Sequence, residues 1–435
     1  MRDSCRLLDS SWSWSDAERT SWQLLRLREL VEHSAANVAF YRERFNDSDV
    51  TNWAAFQSLP LTSRTEYSNA QQESKVAVRG PEHSRPLLFM KTSGTTGQPI
   101  SIAATKLVRV WRSACILREC EKLGIDTLSS CAIIRTPVSP RDPDWDPNLG
   151  AARRRSWLSD EIRELVGMGA GYDFDIRQPL ESIADGIRKL KPDLLYGTPS
   201  MMLSLIDLLD GFAPKAIMTT SEQLFASERR KLEESYGCLV HDLFGTVEFN
   251  RVAFYCRECD LYHVHDENVI LEVLDESGNE VGPGQTGKLY GTSLHNLATP
   301  IIRYEIGDVA ERPSHPNRCG STLSSIKTFH GRQVSRIALP DGRFRVATGL
   351  VISLLDMPNC NRSQLHQEEF DQFKLLYVAP KEFDLATQRE IANMLERLIG
   401  TKPHLVTERV ERIEPLPNGK TPPVIVSKGL LEARA

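Results

Sequence analysis

The chain has 435 residues, 40% of them hydrophobic and 26% charged, and a formal net charge of −5 at pH 7. This length exceeds what one core normally covers, so we expect a globular protein of at least two domains, and the negative charge argues against nucleic acid as a partner. The sequence contains no apolar run that could span a membrane and no export signal near its start, and its 9 cysteines are mostly isolated, so we expect a cytoplasmic protein with no membrane partner.

The first predicted elements are helical. Ser15 and Glu18 have the spacing of a capping box, in which each side chain accepts a hydrogen bond from a backbone N–H at the start of a helix. A short strand is predicted at residues 86–90 and a polar loop at 92–97. A helix is predicted at 104–124, with Gly124 as its end.

Strands and helices then alternate, which predicts an α/β fold with a mostly parallel sheet. After Gly245 the pattern becomes β-rich, with the turn 275–279 between two candidate strands. The predicted strands of both parts are 131–134, 193–196, 216–219, 239–244, 269–274, 287–290 and 301–304, and the predicted helices are 183–190, 200–209 and 227–236.

The last hundred residues predict a small α+β unit. A hairpin is indicated at 337–344, with Asp341 and Gly342 in its turn. A strand follows at 374–378 and a helix at 386–399, which Gly400 ends. We therefore predict two domains, residues 1–332 and residues 333–435.

The loop at 92–97 is rich in glycine and hydroxyl groups. Glycines allow tight backbone turns in which several N–H groups point at one anion, and the hydroxyls add donors, so the loop could hold a triphosphate. A Walker loop is excluded because its spacing is absent, which disfavours a P-loop phosphotransferase. Taken alone, the string is equally compatible with a polar surface turn. Its residues are Thr92, Ser93, Gly94, Thr95, Thr96 and Gly97.

Several further strings follow this loop in a fixed order. Together they resemble the adenylate-forming superfamily, which contains acyl-CoA synthetases, peptide-synthetase adenylation domains and luciferases. The strings at 41–45, 59–62 and 292–304 are most similar to its phenylacetate–CoA ligase and capsular polysaccharide biosynthesis branch. The ordered strings are 92–97, 196–200, 220–222, 244–248, 302–308, 331–332 and 416–420.

The resemblance implies an α/β fold with a large N-terminal domain of mostly parallel sheets plus a β-rich part, and a small mobile α+β C-terminal domain. It implies ATP-dependent activation of a carboxylic acid to an acyl adenylate, with release of pyrophosphate and transfer to a second nucleophile. Attack of a carboxylate on the α-phosphorus builds negative charge, so cations are needed there. By position, Lys420 and Glu248 would be catalytic, with Glu248 holding Mg²⁺. The ATP site would comprise the loop 92–97 with Ser221, Glu222, Phe244, Gly245, Thr246, Asp308 and Arg332.

The acid pocket is predicted around Tyr196, Gly197, Thr198 and Pro199, with the segment 137–147 opposite, which favours a planar or aromatic acid. The acceptor is open between coenzyme A, an amine and a carrier protein, and the sequence does not predict an oligomeric state. A degenerate nucleotide-binding protein without activity is the alternative.

Three positions depart from the family pattern. Gln98 stands where a cation is usual, Ser221 where a glycine is usual, and Gln333 where the hinge is usually acidic. The loop that follows the hinge also matches coenzyme A ligases poorly, so adenylation is better supported than transfer to coenzyme A.

The cysteines contain one Cys-x-x-Cys pair, Cys256 and Cys259, followed by His263 and the distant Cys319. Thiolates at this spacing with a histidine predict a closed structural Zn²⁺ site. Four unconnected residues are the alternative, because free cysteines are often ordinary buried groups. If zinc is bound, His265 is expected to be a spare ligand or an exposed residue.

Overall fold

The computed structural model describes residues 2–45, 50–76, 88–91, 100–136, 138–158, 167–176, 178–332, 336–339, 344–347, 350, 354, 357, 360, 362–414, 422–427 and 429–430. The described helices are α1 (Arg2–Ser11), α2 (Asp16–Asn37), α3 (Ala39–Arg42), α4 (Trp53–Ser58), α5 (Arg64–Gln72), α6 (Lys106–Leu123), α7 (Leu180–Leu190), α8 (Pro199–Ser204), α9 (Ala226–Tyr236) and α10 (Leu385–Ile399), with a 3₁₀ turn at Asp207–Leu209.

The described strands belong to five sheets. They are β1 (Leu88–Lys91), β2 (Ser101–Ala104), β3 (Cys131–Thr136), β4 (Trp145–Asp146), β5 (Ala151–Arg154), β6 (Gly171–Asp175), β7 (Leu194–Gly197), β8 (Ala216–Thr219), β9 (Leu239–Thr246), β10 (Asn250–Cys256), β11 (Leu261–Val264), β12 (Val269–Leu274), β13 (Thr286–Ser293), β14 (Tyr304–Glu311), β15 (Ser325–Ile326), β16 (Thr328–Arg332), β17 (Arg336–Ala338), β18 (Phe344–Val346), β19 (Arg362–Gln367), β20 (Gln372–Val378), β21 (His404–Arg409) and β22 (Val424–Val426).

The largest sheet has ten strands in the order β15-β11-β10-β9-β8-β7-β3-β6-β5-β4. Its centre, β9-β8-β7-β3-β6, is parallel, as the alternation of strands and helices predicts. Antiparallel strands extend the sheet at both ends. Helix α6 packs on one face through Ile116 and Cys120, and helices α7 and α9 pack on the other through Ile187 and Leu232. Both faces are therefore covered, as a parallel sheet requires.

The β-rich part is an antiparallel sheet, β12-β13-β14-β16, with its own core that includes Val273, Leu289 and Tyr304. The last part of the chain forms a mixed sheet, β21-β20-β19-β22, against which helix α10 packs through Ile391 and Leu395. The mixed α/β fold class is thereby confirmed. Among the described residues, no helix is both long and apolar enough to cross a membrane.

Several local predictions can be compared directly with the structure. The capping box of Ser15 and Glu18 is present at the start of α2, and Gly124 ends α6 with a φ of 68°, which glycine adopts readily. The helix predicted at 200–209 breaks after Ser204 into a 3₁₀ turn. The strand predicted at 301–304 is wrong, because β14 begins only at Tyr304. The turn at 341–342 lies outside the described residues.

Candidate active site

The carboxyl ends of the parallel strands meet at one edge of the large sheet, the position where open α/β sheets bind ligands. Strand β7 ends at Gly197, whose register partner on β8 is Thr219. Thr219 is in turn paired with Asp242 in the middle of β9, which continues to Thr246. The segments predicted to bind acid and nucleotide, 196–199, 220–222 and 244–246, therefore lie side by side although they are far apart in sequence.

Glycine is required at the end of β7. A Cβ on Gly197 would lie 2.7 Å from the carbonyl oxygen of Ile134 and 2.5 Å from Met202. Tyr196 is buried beside it in the core under α6. Thr198 caps α8 by accepting a hydrogen bond from the Met201 amide, and Pro199 takes the first helical position.

Ser221 has a φ of 71°, in the left-handed region that favours glycine. This backbone conformation gives a physical reason for the glycine that is usual at this position in the family pattern. Thr220 donates its amide to the carbonyl oxygen of Gly197 at 3.1 Å, which ties this segment to β7. The carboxylate of Glu222 lies 3.9 Å from the guanidinium of Arg362 at the start of β19.

The segment 244–246 forms the end of β9. The ring of Phe244 stacks on Phe329 at 3.7 Å between ring centroids. A Cβ on Gly245 would lie 2.4 Å from the carbonyl oxygen of Asn250, so only glycine fits there. The hydroxyl of Thr246 accepts a hydrogen bond from the Phe249 amide, which shapes the turn that carries Glu248.

Glu248 is buried and 2% exposed. Arg64, at the start of α5, donates from Nη1 to its Oε1 at 3.1 Å and to the hydroxyl of Tyr304 at 3.3 Å. Oε2 of Glu248 is also buried, and among the described residues it has no hydrogen-bond partner. An acceptor-only oxygen without a donor fits a bound cation. Arg64 was not predicted from the sequence, where its signal was a cation two residues after the branch string 59–62.

Asp308 lies on β14 and is buried, and its register partner on β16 is Arg332. The two predicted ribose-site residues therefore lie opposite each other on neighbouring antiparallel strands. The loop 92–97, Gln98, Gln333 and Lys420 lie outside the described residues, so their predicted roles stay predictions.

The four predicted metal ligands come together. The ligand atoms of Cys256, Cys259, His263 and Cys319 all lie within 4.8 Å of one another, although Cys319 is far along the chain. His263 Nε2 is 3.2 Å from the sulfur of Cys319, and its Nδ1 is 3.4 Å from the Ser325 hydroxyl. The residues fit a closed site of three thiolates and one imidazole.

The surroundings of this cluster favour the metal-binding forms of Cys259 and His263, whereas burial raises the pKa of the Cys256 and Cys319 thiols. The Cys259 sulfur accepts hydrogen bonds from the amides of Arg318 at 3.2 Å and Cys319 at 3.3 Å. Although burial opposes it, this donation lowers the pKa of the Cys259 thiol. Burial lowers the pKa of His263 to about 4, which keeps its imidazole neutral. Trp12 packs edge-on against the same imidazole, with 5.6 Å between ring centroids.

His265 is neither a ligand nor exposed, so both sequence expectations for it are wrong. It is completely buried, because the alternation of strand residues continues past β11 and turns it towards α6. Its Nδ1 accepts a hydrogen bond from Arg118 at 2.6 Å, and its Nε2 lies 2.9 Å from a carboxylate oxygen of Glu119. Since arginine only donates, the proton of the imidazole is on Nε2, which donates to Glu119.

Comparison with known proteins gives relatives but no matching family model. The chain is 27% identical to phenylacetate-coenzyme A ligase of Pseudomonas putida over 305 residues, which are 66% of this chain and 65%, just under two thirds, of that enzyme. It is 26% identical over 356 residues to fumarate–(S)-2,3-diaminopropanoate ligase of Enterobacter agglomerans, with 80% and 82% of the two chains covered.

A solved structure of 2-hydroxyisobutyryl-CoA ligase in the postadenylation state has a TM-score of 0.75 to this chain, with 18% identity, and covers 97% of this chain and 92% of its own. The solved structure shows a shared fold, and the related sequences support an assignment to the adenylate-forming superfamily. Within it, the related sequences support the assignment to the phenylacetate–CoA ligase-like branch that the ordered strings predicted. Both relatives named above are ligases.

Proposed function

We propose that this enzyme activates a small carboxylic acid with ATP and then transfers the acyl group to a second nucleophile. In the first step a carboxylate oxygen bonds to the α-phosphorus while the bond from that phosphorus to the pyrophosphate oxygen breaks. In the second step the nucleophile bonds to the acyl carbon and AMP leaves. The observation that carries the proposal is the convergence of segments 196–199, 220–222 and 244–248 at the carboxyl edge of the parallel strands.

We propose Glu248 as the carboxylate that holds Mg²⁺. Its unpartnered Oε2 supports this role, because a buried carboxylate oxygen costs free energy unless a donor or a cation satisfies it. Arg64 holds the other oxygen, so the side chain is already oriented before ATP binds. The bound ion would supply positive charge to the phosphate oxygens.

The two-domain division at residue 332 is also proposed, with Lys420 reaching the phosphates from the small domain. Its support is that residues between 337 and 424 form a separate hydrophobic core, joined from the large part by Phe225. A lysine on a mobile domain can act on the phosphates and then leave room for the second nucleophile. We expect the hinge near residues 332–335.

Coenzyme A is the acceptor that we favour, because the relatives named phenylacetate-coenzyme A ligase cover much of the chain. An amine is the second candidate. Its support is the similarity, over 80% of this chain, to a ligase whose name joins fumarate to an amino acid. Thioester and amide products distinguish the two when each acceptor is supplied separately with ATP and acid.

Zinc is proposed as a structural ion held by Cys256, Cys259, His263 and Cys319. The geometry of the cluster and the amide donors to Cys259 support it. Zinc would close the site with four protein ligands and leave no open position for catalysis.

The proposed activity is tested by acid-dependent pyrophosphate release across a panel of alkyl and aryl acids. We expect Lys420→Ala to slow this release by orders of magnitude while ATP binding is retained, because the lysine acts on charge present chiefly in the transition state. The matched control is Lys402→Ala, a change at an exposed lysine of the same C-terminal part, which should leave the rate unchanged. Equal rates in both variants would contradict the role of Lys420, and no release with any acid would contradict the function.

A further inference from the structure

A buried arginine, Arg251, lies at the edge of the large sheet beside the segment proposed to contact the acid. It is the second residue of β10, and its register partner is Gly245 near the end of β9. Its guanidinium lies over the ring of Tyr196, with 5.9 Å from Cζ to the ring centroid. Arg251 is therefore on the α6 side of the sheet, at the carboxyl end of the parallel strands.

The hydrogen bonding of Arg251 differs from that of the other buried arginines. Arg118 donates to Glu267, to His265 and to two acceptors of α1. Arg303 donates to Glu272 through two nitrogens and also to backbone carbonyls. Arg251 has one ion pair, from Nη1 to Oε2 of Glu119 at 3.4 Å, and donates no hydrogen bond among the described residues. A guanidinium has five N–H donors, so Arg251 keeps most of them unused.

The exposed fractions of these side chains lead to the same distinction. The side chain of Arg251 is 10% exposed, against 1% for Arg118 and 4% for Arg303. Among the described residues, no Arg251 nitrogen is both sealed from solvent and unpartnered, whereas Nε of Arg118 is. The unused N–H groups of Arg251 therefore keep access to solvent and can donate to an acceptor from outside the protein. Because the side chain keeps some access to solvent, such an acceptor can reach it.

The partner of Arg251 is itself fixed. One oxygen of Glu119 accepts the proton of His265, whose other nitrogen accepts from Arg118. Arg118 in turn is paired with Glu267, which is completely buried. This chain of buried polar groups holds Glu119 against one side of Arg251, and the other side of the guanidinium can bind either a neutral or an anionic oxygen.

We propose that Arg251 selects the acid by binding an oxygen atom in its side chain, away from the carboxylate that reacts. The substrate class is then carboxylic acids that carry a hydroxyl, carbonyl or second carboxylate group, on an alkyl or aryl skeleton. This inference rests on the proposed adenylation and adds its specificity. A hydrogen bond to a charged donor corresponds to a preference of about tenfold to a hundredfold over the acid that lacks the oxygen.

The test is ATP–pyrophosphate exchange with matched acids: butyrate, 4-hydroxybutyrate and succinate, and phenylacetate, 4-hydroxyphenylacetate and 4-carboxyphenylacetate. For the unmodified enzyme we expect kcat/KM to favour oxygen-bearing acids by about tenfold or more. Comparison of the hydroxylated acid with the dicarboxylic acid in each series shows which oxygen is preferred. Arg251→Met should abolish the preference, mainly through KM, while exchange with the oxygen-free acid is retained. Arg251→Lys should keep part of the preference, because it keeps a cation.

The matched control is Arg153→Met, at an exposed arginine of β5, which should leave the preference unchanged. Equal use of oxygen-free and oxygen-bearing acids by the unmodified enzyme would overturn the inference while supporting adenylation. The inference would also be overturned if Arg251→Met exchanged pyrophosphate with the original preference undiminished. If Arg251→Met fails to fold, Arg251→Lys takes its place, and complete loss of the preference in that variant would overturn the inference. Exchange with no acid at all would contradict the proposed function, and with it this inference.

Discussion

Two buried carboxylates, Glu267 and Glu248, each accept hydrogen bonds from an arginine of a helix, but their hydrogen bonding differs. Both oxygens of Glu267 accept from Arg118, at 2.8 and 2.9 Å, and Oε1 also accepts from Ser11. Glu248 accepts from Arg64 through one oxygen, while the other is buried and unpartnered among the described residues. The carboxylate of Glu267 is fully hydrogen-bonded, although Nε of Arg118 is buried without a partner, whereas the carboxylate of Glu248 can still accept a cation. An unpartnered oxygen on a buried carboxylate therefore marks Glu248, and not Glu267, as the candidate cation ligand.

The largest effect expected from this comparison is on stability. Glu267→Gln keeps the shape of the side chain but leaves Arg118 buried without a counter-charge. We expect the free energy of unfolding to fall by about 3–5 kcal/mol. Denaturant unfolding followed by circular dichroism measures it, and pyrophosphate release per folded molecule should remain. A loss below about 1 kcal/mol would show that the pair is dispensable.

Glu248→Gln should have the opposite pattern. Removal of its charge weakens the proposed cation site, and we expect adenylation to slow by about 10²–10³-fold, the size found for loss of one electrostatic contact to a transition state. Stability should change little, because only one of the two carboxylate oxygens is hydrogen-bonded. The measurement is acid-dependent pyrophosphate release over a range of Mg²⁺ concentrations. A rate equal to that of the unmodified enzyme would remove Glu248 from the cation site.

The Cys/His cluster extends the comparison to a second candidate cation site. Cys259→Ser should reduce bound zinc from about one equivalent to a small fraction, because one thiolate of the closed site is lost. The thermal midpoint should fall as well, since Trp12 of the N-terminal segment packs on His263. Metal analysis and thermal unfolding give both results, with Cys360→Ser, at a buried cysteine outside the cluster, as control. Unmodified protein with no zinc would rule the site out.

The smallest effect concerns the backbone beside the nucleotide segment. Ser221→Gly relieves a left-handed conformation, so we expect the free energy of unfolding to rise by up to about 1 kcal/mol. Ser227→Gly, in the first turn of α9, should instead lower it by about 0.5 kcal/mol. If both changes destabilise the protein, Ser221 is not strained in solution.

The sequence alone predicted the class of fold and, within the central parallel part of the large sheet, the positions of β3, β7, β8 and β9 and of the helices between β7 and β9. It could do so because strand–helix alternation, capping at Ser15 and the helix-ending Gly124 are local properties of the chain. The sequence also predicted the four members of the Cys/His cluster, since the spacing of Cys256 and Cys259 is local, and the structure brings Cys319 to them. The strand predicted at 301–304 failed because buried apolar residues outside a sheet have the same pattern as a strand.

Only the tertiary structure decided which charges have partners. Arg64 meets Glu248 across 184 positions of the chain, and His265 meets Arg118 across 147. No pattern in a single sequence records such pairs, because they depend on how the sheets and helices pack and not on local spacing. The same holds for Arg251, which is one arginine among many until the structure shows that its donors are largely unused.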